Sequence, residues 1–140
     1  MDKLDEAGKL LWKDEYSVNV KEIDDQHKHL VGIINNLADT VSTPNKEIIE
    51  NIIDQIIQYK TIHFATEEKY FHKFNYEGTK EHEARHHEFD QKIQEIRDQY
   101  NEDPASLAFA LIDYLEDWFV THLNLADHKY TKCFNDHGLF

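Results

Sequence analysis

The spacing of apolar residues is the feature that most restricts the fold of this chain. Apolar side chains recur every three or four residues through long segments, and the 140 residues include only four glycines and two prolines. An α-helix repeats about every 3.6 residues, so this spacing is typical of helices with one apolar face. We therefore predict an all-α protein.

Polar caps and prolines divide the pattern into four helices. Asp24, Thr43, Thr79 and Asp103 are the predicted caps, and proline follows the second and the fourth. The predicted helices span about residues 24–41, 44–74, 79–100 and 104–134. The inner face of the second should contain Ile49, Ile52, Ile53, Ile56, Lys60, His63, Glu67, Tyr70 and Phe74.

The short connections make neighbouring helices antiparallel, which predicts an up-down-up-down four-helix bundle with its site in the core. We expect residues 1–140 to form one domain, with an extended N-terminal arm over about residues 1–23 and the bundle over about 24–134.

Composition excludes several kinds of partner. The net charge of −13 repels nucleic acid and anionic membrane surfaces, so neither is an expected partner. The longest apolar run is six residues, and the N-terminus lacks the pattern of a secretory signal, so we expect no membrane insertion and a cytoplasmic location. Cys133 is the only cysteine, which rules out an internal disulfide.

Two residue pairs have the spacing of metal ligands. His63 with Glu67, and His82 with His86, are four residues apart, and on a helix this leaves an offset of only about 40°. Imidazole is a good ligand for iron, and a carboxylate can bridge two ions. His122 and Asp127 are five residues apart, about 140° on an ideal helix, so spacing alone does not join them.

Other polar residues near these pairs should point away from them. Glu68 is about 100° from Glu67 and is predicted to be a solvated acid. Five further histidines lie on other helical faces or in the tail and are not expected to be ligands: His29, His72, His87, His128 and His137.

The motifs around these residues resemble those of the hemerythrin family. The resemblance runs from about residue 12 to about residue 130, with the motifs in the family's order. They are Trp12 and Tyr16-Ser17-Val18, Ile23-Asp24-Asp25-Gln26-His27, His63-Phe64-Ala65-Thr66-Glu67-Glu68, His82-Glu83-Ala84-Arg85-His86, and Trp118-Phe119-Val120-Thr121-His122 before Asp127.

The resemblance implies a centre of two iron ions (Fe2+/Fe3+) joined by an oxo or hydroxo bridge. His82, His86 and His122 would hold one iron, and His27 and His63 the other. Glu67 and Asp127 would bridge them, with a local helix distortion between His122 and Asp127 or ligation on different sides of the cluster. The residues that match the family's oxygen pocket are Leu30, Phe64, Trp118, Phe119 and Leu123.

The implied function is reversible O2 binding by an oxygen carrier or storage protein, not an enzyme. The main alternative is an oxygen or redox sensor that uses the same site. O2 is the implied ligand, and the sequence does not identify an O2-consuming enzyme or signalling partner.

Two other metal sites compete with this interpretation. His82-Glu83-Ala84-Arg85-His86 fits the H-E-x-x-H motif of zinc metallopeptidases, but that site leaves His27, His63 and His122 without a role. A ferritin-like oxidase needs Glu-x-x-His on two helices, and here only Glu83 with His86 fits.

Overall fold

The structure is a computed structural model that describes residues 9–125 and 127–140, with side chains omitted at 123–125. The long helices are α1 (Lys21–Asp39), α2 (Lys46–Lys73), α3 (Thr79–Gln99) and α4 (Pro104–Leu125), and a short α5 (Thr131–Asp136) follows. Each long helix packs against the next one in sequence, and α1 also packs against α4, which closes the bundle. The predicted four-helix bundle is confirmed.

Three helices have N-caps other than the predicted ones. The N-cap of α3 is Gly78, and Thr79, the predicted cap, is the first residue of the helix. Helix α1 begins three residues before Asp24, whose carboxylate instead accepts hydrogen bonds from the Ser17 hydroxyl (2.5 Å) and the Val18 amide (2.8 Å). Asn45, not Thr43, is the N-cap of α2, because its side chain accepts from the Ile48 amide at 3.0 Å. The Asp24 side chain, in the first turn of α1, therefore holds the arm and does not cap the helix.

The predicted fourth helix is interrupted. Helix α4 ends at Leu125, a 3-10 turn runs from Asp127 to Tyr130, and α5 continues to Asp136. A 3-10 turn winds by about 120° per residue against about 100° in an α-helix, so the break changes the direction in which Asp127 points. The predicted distortion between His122 and Asp127 is therefore present.

The arm covers this break. Tyr16, the last residue of a short 3-10 turn (Asp14–Tyr16), is buried, as are Val18 and Val20 after it, whereas Asn19 between the two valines is exposed. His128 Nε2 lies 2.8 Å from the Ser17 carbonyl oxygen, and the Thr131 hydroxyl donates to the Val18 carbonyl at 3.0 Å. These bonds hold the 3-10 turn, and with it Asp127, against the body of the bundle.

The inner face of α2 differs from the prediction at three positions. Lys60, Tyr70 and Phe74 are only partly buried, and Lys60 pairs with Asp90 at 3.0 Å, whereas Tyr59 and Phe71 are buried. None of the helices in the described ranges is long and apolar enough to cross a membrane.

Candidate metal centre

Seven polar side chains meet in the middle of the bundle, where a four-helix protein ordinarily packs apolar residues. Each is at most 4% exposed, and together they come from all four long helices and the 3-10 turn. They are His27 from α1, His63 and Glu67 from α2, His82 and His86 from α3, His122 from α4, and Asp127. The structure thus brings together every residue predicted to be a ligand.

The donor atoms form two overlapping groups. Glu67 with His82, His86 and His122 makes one group, and His27 with His63, Glu67 and Asp127 makes the other, with donor atoms within 4.8 Å of one another in each. Glu67 belongs to both. Asp127 also reaches both sides, since its Oδ2 lies 3.0 Å from His27 Nε2 and its Oδ1 lies 2.7 Å from His122 Nε2.

The arrangement of the donor atoms is better suited to binding metal ions than to forming hydrogen bonds among these side chains. Within the described chain, His82 Nε2, His122 Nε2 and both Asp127 oxygens are buried and make no hydrogen bond, although they lie only 2.7–3.1 Å from neighbours in the cluster. Buried polar atoms normally find a hydrogen-bond partner. Close atoms that do not point along hydrogen-bond directions are expected where several ligands aim at a common cation.

A hydrogen bond from outside the cluster fixes the tautomer of His63. Its Nδ1 lies 2.7 Å from Gln26 Oε1, and the Gln26 amide group donates to the Thr66 hydroxyl, which itself donates to the Ile62 carbonyl. Gln26 therefore presents its oxygen to the ring, so Nδ1 of His63 bears the proton and the lone pair of Nε2 faces the cluster, 3.1 Å from His27 Nε2. Burial lowers the pKa of His63 to about 3, which also keeps the ring neutral.

Glu68 performs the same task for His86, and the prediction that it is a solvated acid is wrong. Its Oε2 accepts from His86 Nδ1 at 2.8 Å, and His86 Nε2 faces Glu67 Oε1 at 3.0 Å. A carboxylate behind a histidine orients the ring and makes it a stronger ligand. Glu68 points toward α3, where the His86 ring lies. The sequence pattern of α2 alone does not indicate which residue of α3 lies there.

Tyr130 makes a further contact with the cluster, through Glu67, that was not predicted from the sequence. Its hydroxyl donates to Glu67 Oε2 at 2.7 Å, and both residues are fully buried. Burial, with the charges of Asp127 and Glu67, raises the pKa of Tyr130 well above its usual value, so it remains a donor. Glu67 therefore has one oxygen held by Tyr130 and one facing the histidines.

Both central carboxylates are ionised. Burial opposes ionisation, but the surrounding histidines lower the pKa of Glu67 and hold that of Asp127 well below its usual value. Burial also opposes a charge on His82, but the closeness of Asp127 and Glu67 raises its pKa to about 10. Two buried negative charges thus attract a positive charge into the core.

Aromatic and aliphatic side chains surround the cluster. Phe64 stacks on His86 with centroids 3.7 Å apart, Trp118 stacks on His122 at 4.3 Å, and Phe119 meets His27 edge to face at 6.5 Å. Leu30 and Phe119 are fully buried, and Trp118 is half-buried. The fifth predicted pocket residue, Leu123, has a side chain outside the described part of the structure.

The remaining histidines and the peptidase motif lie apart from the centre. His29, His72, His87 and His137 are exposed, and His128 bonds to the arm. Glu83 Oε2 lies 3.1 Å from His72 Nε2 at the surface, so it does not face the space between His82 and His86. A zinc peptidase needs that glutamate beside its metal-bound water, and this geometry argues against the peptidase alternative.

Comparison with known families agrees with the geometry. The family model described as Hemerythrin HHE cation binding domain matches residues 18–133, which include all seven residues of the cluster. The chain belongs to the hemerythrin family.

Hemerythrin relatives are similar over most of their length. Bacteriohemerythrin from Methylococcus capsulatus is 29% identical over 119 residues, covering 85% of this chain and 91% of that protein. Myohemerythrin-1 from Phascolopsis gouldii is 31% identical over 121 residues, covering 86% and 90%. A crystal structure of wild-type hemerythrin superposes with a TM-score of 0.80 at 28% identity, covering 89% of this chain and 96% of that one.

Proposed function

We propose that this protein binds O2 reversibly at a non-haem di-iron centre and acts as an oxygen carrier or store. The observation that supports the proposal most directly is the pair of overlapping donor groups, buried in the bundle and sharing Glu67. Its bacteriohemerythrin and myohemerythrin relatives belong to a family of oxygen-binding proteins.

In this proposal the two irons have unequal sets of protein ligands. His82, His86 and His122 would hold one iron and His27 and His63 the other, with Glu67 and Asp127 available to both. A solvent-derived oxo or hydroxo group would complete the centre. When bound, the irons would supply the redox chemistry that reversible O2 binding requires. The His27 and His63 side has fewer protein ligands, so an exogenous ligand would bind there.

The chain's own residues hold the ligands in place and limit access of water. Gln26 and Glu68 keep the Nε2 lone pairs of His63 and His86 directed inward, and Tyr130 fixes one oxygen of Glu67. Leu30 and Phe119, both fully buried, form an apolar wall near His27. We assign this wall to the oxygen pocket, together with Phe64, Trp118 and Leu123.

The donor set favours binding over oxidation chemistry. Ferritin-like di-iron sites use a glutamate-rich set, whereas this cluster has five imidazoles and two carboxylates. The function we propose is therefore ligand binding without turnover of a substrate.

Reconstitution with iron tests the proposal. Metal-free protein loaded with Fe2+ without air should retain two irons per chain by elemental analysis. Exposure to O2 should produce a visible charge-transfer band that disappears when O2 is removed. His82→Ala should lose iron, whereas His72→Ala, which changes a surface histidine, should retain it. A colourless protein that takes up one zinc and no iron would contradict the proposal.

A further inference from the structure

Tyr59 lies beside the centre, on the side opposite Glu67. Tyr59, His63 and Glu67 are spaced four residues apart on α2, so they occupy successive turns of one helical face. The rings of Tyr59 and His63 are stacked, with centroids 5.2 Å apart and planes inclined by 17°. His63 is therefore flanked by a carboxylate on one side and by a phenol on the other.

The other helices present apolar side chains at this level of the bundle. Because neighbouring helices are antiparallel, residues just after His27 and His86 lie toward the same end as residues just before His63 and His122. Leu30 and Phe89 follow the first two by three residues, Phe119 precedes His122 by three, and all are buried. Asp127 and Tyr130 lie toward the other end. Tyr59 thus adds a polar group to this otherwise apolar set.

The hydroxyl of Tyr59 has no hydrogen-bond partner among the residues that the structure describes. The residue is only 4% exposed, and its oxygen makes no hydrogen bond to any residue that the structure describes. Leaving a buried hydroxyl unpaired is unfavourable, so such a group calls for an explanation. A phenol is protonated at neutral pH, so this hydroxyl is able to donate a hydrogen bond.

We propose that the Tyr59 hydroxyl donates a hydrogen bond to the small ligand that occupies the His27 and His63 side of the centre. This inference rests on the proposed di-iron function. It makes Tyr59 a residue that sets ligand specificity, because a hydrogen-bond donor favours ligands that hold negative charge when bound over neutral ones. Azide is a suitable anionic probe.

Tyr59→Phe tests the hydroxyl with almost no change of shape. The diferric forms of wild type, Tyr59→Phe and Tyr114→Phe are titrated with azide and followed by visible absorbance. Losing a hydrogen bond to a charged acceptor should weaken azide binding about tenfold or more in Tyr59→Phe. Tyr114 is half-buried and outside the cluster, so its variant should bind azide as wild type does.

Two further measurements separate a ligand contact from a structural role. The infrared stretching band of bound azide should shift in Tyr59→Phe and not in Tyr114→Phe. In the metal-free protein, Tyr59→Phe should be as stable as wild type or more stable, because the hydroxyl that it removes bonds to none of the described residues.

Several results would overturn the inference. Equal azide affinity with an unshifted band would show that the hydroxyl does not contact the ligand. A loss of stability in metal-free Tyr59→Phe would show that the hydroxyl has a partner within the protein. If wild type takes up no iron, the proposed function is overturned. If wild type binds iron and azide normally and Tyr59→Phe behaves in the same way, only the inference about Tyr59 is overturned.

Discussion

The hydrogen bond from Tyr130 to Glu67 offers a direct test of how residues outside the seven-residue cluster support it. Tyr130→Phe removes one oxygen and keeps the ring, which packs against Phe71 and Phe134 with centroid distances of 5.4 Å and 4.4 Å. The substitution therefore deletes the donor without opening a sizeable cavity. Glu67 Oε2 then loses the hydroxyl that lies 2.7 Å away.

The expected cost follows from charge and burial. Glu67 is ionised and fully buried, so water cannot easily replace the missing donor. A hydrogen bond to a charged group contributes about 1.5–3 kcal/mol. We expect the metal-free variant to lose about that much free energy of unfolding, equivalent to a decrease in melting temperature of about 5–10 °C for a chain of this length.

Urea unfolding of metal-free protein, followed by far-ultraviolet circular dichroism, measures this cost. Tyr114→Phe is the matched control and should remain within about 0.5 kcal/mol of wild type, as is usual for substitutions away from buried polar networks. If Tyr130→Phe is also within that range, the hydroxyl does not stabilise the buried carboxylate, and our account of Glu67 is wrong.

Two other substitutions test neighbouring parts of the centre. Glu68→Gln should weaken Co2+ binding to the metal-free protein by about tenfold, since it removes the carboxylate behind His86; absorbance titration measures this, and Glu83→Gln, at a surface pair, should bind Co2+ as wild type does. Phe119→Ala should cost about 3–5 kcal/mol of stability, because the side chain is fully buried. It should also speed the conversion of oxygenated protein to the diferric form in stopped-flow absorbance; a stability loss with unchanged decay would make Phe119 a core residue only.

The bundle could be predicted from the sequence because helical periodicity is a local property. Four long segments repeat their apolar residues at helical spacing, and each is bounded by polar caps, glycine or proline. The exact caps were less predictable. Asp24 and Asn45 are both good N-cap residues, and only the folded arm shows that Asp24 bonds to Ser17 and Val18 instead.

The central cluster was partly predictable for a similar reason. His63 with Glu67 and His82 with His86 are pairs within single helices, so their spacing alone indicates a shared direction. Helical spacing alone could not identify Asp127 as part of the cluster, because an ideal α-helix would place it about 140° from His122. The 3-10 turn that corrects its direction depends on contacts with the arm, which a helical pattern cannot include.

The residues that support the ligands from outside the cluster could not be predicted, because their contacts join different helices. Gln26 on α1 meets His63 on α2, and Glu68 on α2 meets His86 on α3. Which side chains meet depends on how far each helix is displaced along its neighbour, and this displacement is fixed by packing of the whole bundle. A polar residue next to a ligand in sequence points about 100° away from it, toward a neighbouring helix at Gln26 and Glu68 and toward solvent at His87.

These contacts also make the two halves of the centre different in charge. A carboxylate, Glu68, stands behind His86 in the three-histidine group, whereas a neutral amide, Gln26, stands behind His63 in the two-histidine group. A carboxylate makes its histidine a stronger donor than an amide does, so the group with more imidazoles is also the one with the more basic imidazole. In the proposed assignment, the side with an opening for an exogenous ligand would be the one with fewer imidazoles. The number of histidines and the groups behind His63 and His86 therefore favour the same side.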